Sequence, residues 1–143
     1  MGSNTNWTIR LAGTALVLTH LVISTIHGVA HEGAMVMLTA FGYAYVAIVI
    51  TVTPLVAAAL LFSRRQKLGA LLLTLSMLGS FGFGVLYHFV LPGTDNVAEV
   101  HGPWHATFLW TAVALAVLEG IGVITGLWIY QARKDIQPGY PNS

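Results

Sequence analysis

The sequence predicts an all-α fold, an integral membrane four-helix bundle, and three observations predict it. Of 143 residues, 56% are hydrophobic and only 8% charged, where a soluble domain carries about 25% charged residues. Four apolar stretches each reach the roughly 20 residues that a spanning helix needs. All the lysines and arginines fall at one end of that threading, Arg10, Arg64, Arg65, Lys67, Arg133 and Lys134.

The first helix is expected at about residues 9–31, where Leu11–Ala30 holds no Asp, Glu, Lys or Arg. The second is expected at 34–63, long enough to span with tilt, with Pro54 kinking it unless the freed carbonyl finds a neighbour. The third, 68–91, follows the basic turn Arg64-Arg65-Gln66-Lys67. The fourth, 104–131, follows the loop from Pro92 to Pro103 and contains one acid, Glu119. The whole chain, 1–143, reads as a single four-helix domain. The positive-inside rule puts both termini and the 64–67 turn in the cytoplasm, and the 31–33 turn and the 92–103 loop outside. The expected location is a prokaryotic cytoplasmic membrane. Helix 1 lacks a small-x-small exit, so a cleaved signal peptide is not expected.

A net charge of +1 offers no basic field for nucleic acid. The absence of cysteine excludes disulfides, iron–sulfur clusters, thiolate zinc sites and covalent haem. Any cofactor must be held by histidine, carboxylate, methionine or backbone. Small residues at Ser76, Gly79, Ser80, Gly82 and Gly84 on helix 3, and Gly122-x-x-x-Gly126 on helix 4, let backbones approach. They either serve packing alone or make room for a flat cofactor against helix 3.

Five of the six histidines map to the outer end: His27, His31, His88, His101 and His105. Two pairs share the spelling H-G-x-x-H, at 27–31 and 101–105, and an i,i+4 pair suits two ligands to one metal. Pro103 works against a regular second pair by keeping His101 off the helix. At 100° per residue His20, His27 and His31 fall within about 40° of one another, with Ser24 beside them. Glu119 falls within about the same angle of His105, and His88 shares its stripe with Gly84, Phe81 and Met77. Histidines at the ends of helices can also be plain interfacial residues. Glu32 and Glu99 stand on the same side, as orienting partners or as solvated loop acids, the latter fitting Glu99 better. His20 and Glu119 lie deeper, where ionisable groups are costly and mark function. They are expected to meet across the bundle and share a proton, or to fix helix register.

Three functions are compatible with this pattern. The first is an electron-transfer protein binding haem b through His27, His31, His88 or His105, walled by Phe81, Phe83, Phe89, Trp104, Phe108 and Trp110. In general layout it resembles membrane cytochrome b subunits. The second is a copper, zinc or iron ion held by His27, His31, His88, His101 and His105, since five imidazoles exceed the pair one haem takes. The H-x-x-x-H boxes are similar to those of membrane di-iron hydroxylases and desaturases, but the adjacent His-His boxes of those families are missing. The third is a non-catalytic or proton-conducting subunit of a larger membrane complex, with a relay through His20 and Glu119. Haem b ranks first and an oxidoreductase component is the expected class, with no catalytic residue assigned. The expected partners are the bilayer, other membrane subunits or further copies of the chain, and quinone.

Overall fold

The fold is given by a computed structural model describing residues 2–132, with side chains from Trp7 onward. Arg133 and Lys134, two of the six basic residues used for orientation, lie outside the described residues. Those described form four helices long and apolar enough to cross a membrane. They are α1 (Gly2–Gly33), α2 (Ala40–Leu61), α3 (Gln66–Val90) and α4 (His105–Ala132). No strand occurs among the described residues. Helix α1 packs on α4 and α2, and α3 packs on the same two, so the helices close a ring in the order α1–α4–α3–α2.

Several boundaries differ from the sequence reading: α1 already begins at Gly2, not 9, and two others bear on the loops. Helix α2 starts at Ala40, not 34, because α1 ends in a Schellman turn. Val36 N–H donates to His31 O at 2.9 Å and Met35 N–H to Glu32 O at 3.1 Å. Met35 takes the left-handed conformation there, φ 56°. Val36 then packs with Ala30 in a small apolar cluster under the loops. Thr39 caps α2, its hydroxyl accepting from Gly42 N–H at 3.1 Å. Helix α3 begins two residues before the expected 68 and includes the end of the basic turn.

Ahead of Pro54 the helix departs from regular geometry. Having no N–H, it leaves an unmatched carbonyl on the preceding turn. The helix widens to π geometry over Val46–Val52, just ahead of the proline. Ile48 O takes both the Thr53 N–H and the Thr53 hydroxyl, the latter at 2.7 Å. No residue of this widened segment is buried. A second π turn, Leu86–Val90, ends α3, with Leu91 N–H reaching Leu86 O at 2.7 Å.

The end of the bundle that carries Arg64, Arg65 and Lys67 is closely filled. Ile9, Leu16, Val17, Ala57, Leu61, Ala70, Leu73, Met77 and Ile129 form its core. Gly122 lies against Met77, and Gly126 against Thr74 and the carbonyl of Ala70. These two glycines serve helix packing, and the space above them is already filled by side chains.

Candidate metal centre

His27 and His31 occupy successive turns near the end of α1, so their rings share a face. The π turn ending α3 carries His88 to the same place. One ligand nitrogen from each of the three lies within 4.8 Å of the others. Phe108 of α4, fully buried, packs against all three rings at centroid distances of 5.0, 4.8 and 5.3 Å.

The hydrogen bonds fix which nitrogen carries the proton in His31 and His88. His31 Nδ1 meets Val36 O at 3.2 Å and His88 Nδ1 meets Asp95 O at 3.0 Å. A carbonyl only accepts, so both Nδ1 atoms donate. His27 Nδ1 meets Thr111 Oγ1 at 2.8 Å, and that hydroxyl also lies 2.6 Å from Thr107 O. A threonine hydroxyl has one proton, so His27 Nδ1 donates when that proton lies on Thr107 O and accepts when it turns to the ring. With Nδ1 protonated in all three neutral rings, His27 Nε2 and His88 Nε2 present lone pairs 3.1 Å apart, which repel unless a proton or a metal ion lies between them; with His27 Nδ1 accepting, its Nε2 donates to His88. His31 Nε2 repeats the pattern, 3.4 Å from Asp95 Oδ1.

Asp95 is the residue that sequence reasoning missed. Its Oδ1 lies 3.1 Å from His88 Nδ1, but that N–H is aimed at the backbone oxygen. Both carboxylate oxygens are buried with no aligned donor among the described residues. Burial pushes this carboxyl up, but the neighbouring His88 N–H and the charge on His88, His31 and His27 outweigh it and hold it below the usual carboxylate range. A buried anion beside three convergent imidazoles completes the charge balance of a cation site. The signal in the sequence was its position seven residues after His88, just past the Pro92-Gly93 turn. Val97 N–H bonds back to His88 O at 2.9 Å, so the loop folds over α3 and brings Asp95 along.

The other expected residues take different places. His20 and Glu119 do meet, Nε2 to Oε1 at 3.0 Å, both buried. His101 is exposed in the loop, and His105 opens α4 with its Nδ1 donating to Val100 O at 2.6 Å. Neither joins the cluster among the described residues. Gly102 (φ 88°) and Pro103 break the second H-G-x-x-H pair, so its i,i+4 spelling never becomes one helical face. Glu99 is exposed, and Glu32, also exposed, sits at the rim of the site. Of the aromatic residues expected as walls, Phe108 touches the histidines, Phe83 lines the adjoining cavity, and Trp110 is 68% exposed.

No family model, curated protein or solved structure matches the chain. Its function is read from its own geometry.

Proposed function

We propose that this chain is a membrane-embedded metal protein in which His27, His31 and His88 hold one transition-metal ion, with copper, zinc and iron as the candidates. The observation that carries the reading is the convergence of the three imidazoles, with one ligand nitrogen from each within 4.8 Å of the others and His27 Nε2 3.1 Å from His88 Nε2. Ligands about 2.0–2.1 Å from a tetrahedral ion stand about 3.3 Å apart, close to this spacing. Three protein ligands leave a position open, the arrangement of a reactive rather than a structural ion. The Nδ1 contacts to Thr111, Val36 and Asp95 are the outer partners that hold such rings in place.

Haem b is the second reading and fits less well. Trans axial imidazoles need about 4 Å between nitrogens, with the macrocycle between them. Here the three rings converge from one side. The basic residues at the opposite end of the bundle orient the site toward the non-cytoplasmic face, and the prokaryotic cytoplasmic membrane is retained as its location. With copper or iron bound, the proposed role is redox, as a subunit of a larger membrane assembly.

Metal analysis and an absorption spectrum of the detergent-purified full chain test it together. The expected result is one ion per chain with no Soret band, and loss of the ion in His88→Ala. A Soret band with sharp reduced α and β bands would restore the haem reading. Neither an ion nor a Soret band after reloading would leave the histidines without a cofactor.

A further inference from the structure

Beneath the three histidines lies a cavity of about 200 Å³ that reaches down to Glu119. Its sides are mainly apolar, with Val46, Ile50, Phe83 and Leu115 among them. Its polar groups sit at the two ends. At one end are the histidines and Asp95. At the other are Glu119 and Ser24, whose hydroxyl is buried with no partner among the described residues. Gly84 separates the ends: a Cβ there would lie 3.8 Å from Glu119 Oε2 and 4.0 Å from His88 Cδ2. The carboxylate and the histidines therefore face one shared space.

The cavity is not fully enclosed, and contacts thin out beside it between α1 and α2. Helix α1 packs on the Thr53–Leu61 part of α2 and little on the part before it. Ser24 and Gly28 of α1 line the cavity opposite Tyr43, Val46 and Ile50 of α2. The widened turn before Pro54 marks where the two helices part. A molecule entering here comes from the apolar surroundings of the bundle, so it must be uncharged and largely apolar. Size limits it as well. An apolar cavity of about 150 Å³ accepts benzene, so this one takes a single ring with a small substituent. The groups at the ends add a requirement, since Glu119 and Ser24 need a hydrogen-bond donor and a bound ion needs a lone pair. A ring hydroxyl supplies both.

We propose that the cavity binds a small neutral ring hydroxyl compound of the phenol or hydroquinone class, entering between α1 and α2 and seated between the histidine-bound ion and Glu119. This rests on the metal reading above.

The test uses 4-fluorophenol and the full chain in detergent, loaded with Co(II) or Zn(II) and observed by fluorine NMR. The expected result is saturable binding, with the fluorine signal broadened and shifted by Co(II) and not by Zn(II). Gly28 has open space around a would-be Cβ, so Gly28→Leu plugs the entrance. It is expected to weaken binding about tenfold or more while the cobalt content stays unchanged. Glu119→Gln is expected to weaken 4-fluorophenol several-fold and to leave 4-fluorotoluene unaffected. Cobalt bound at one per chain with no cobalt-dependent effect on the probe overturns the proposal and leaves the metal reading standing. So does equal binding of 4-fluorotoluene and 4-fluorophenol, or binding unchanged in Gly28→Leu. Failure to load cobalt overturns both readings.

Discussion

Around Leu61, Leu73, Met77 and Ile129 the bundle has no room for one more methyl group, whereas around Gly28 and Gly84 it has room for a ring. A Cβ on Gly13 would stand 2.8 Å from Leu61 Cδ1, on Gly69 2.9 Å from Ala57 O, and on Gly122 2.6 Å from Met77 Cγ. On Gly28 it would meet nothing within 4 Å. Glycine thus does opposite things at the two ends of one molecule. At the basic end it brings helices together, and at the histidine end Gly28 and Gly84 keep space open while Gly33 lets Trp104 pack against the end of α1. The backbone follows the same division, since the π turn carrying His88 lies at the histidine end and the one before Pro54 borders it. Ordinary helical packing closes one half, while irregular turns position side chains in the other.

The largest expected effect is on the metal centre. Replacing His27 or His88 by Ala should cost more metal affinity than the roughly 100-fold upper end for loss of an orienting partner. Competition with a chelating dye measures it. Within the packed half, Gly126→Ala forces a methyl onto Thr74 and should destabilise the fold by about 2–3 kcal/mol. The same change at Gly28, in open space on a helix, should stabilise by about 0.5–1 kcal/mol. Denaturant unfolding of the two variants in one detergent compares the halves directly, and equal effects would break the distinction. Asp95→Asn keeps the shape but removes the buried negative charge, and should weaken metal binding about 10–100-fold.

Protons compete with the ion in a defined direction. An imidazole must be neutral to bind. Affinity should therefore fall as the pH drops, by up to about tenfold per pH unit for each histidine that takes up a proton. The same dye titration between neutral and acidic pH checks it. Asp95 responds in the same direction. Its carboxyl is held below its usual value, so its contribution persists above the ordinary carboxylate range and disappears as pH falls through the lowered one. The smallest effect belongs to the turn that sets Val36 O against His31. Met35, 84% exposed, holds a left-handed conformation that glycine adopts without cost, and Met35→Gly should stabilise by about 1 kcal/mol.

The helices were legible because apolar length is written locally, and so was the meeting of His20 with Glu119. Each lies deep in its own helix at a matching depth, and few polar partners compete for either. The triad was only partly legible. His27 and His31 announce themselves by i,i+4 spacing. His88 depends on a π turn that regular helical phase does not foresee, and His105 shared the outer end without joining the cluster. Asp95 was hidden because a loop residue has no periodicity to betray it. Its place is set by the Pro92-Gly93 turn and the Val97–His88 backbone bond. Of the cavity only the small residues on α3 gave a sign, Ser80 and Gly84 among its lining; its extent depends on where α2 leaves α1.

X-ray absorption on the reloaded full chain tests the central claim most directly, because it counts the imidazoles on the bound ion. Three imidazole nitrogens about 2.0–2.1 Å from the ion are expected, falling to two in His31→Ala. An ion surrounded only by oxygen, or an imidazole count unchanged in that variant, would contradict the account.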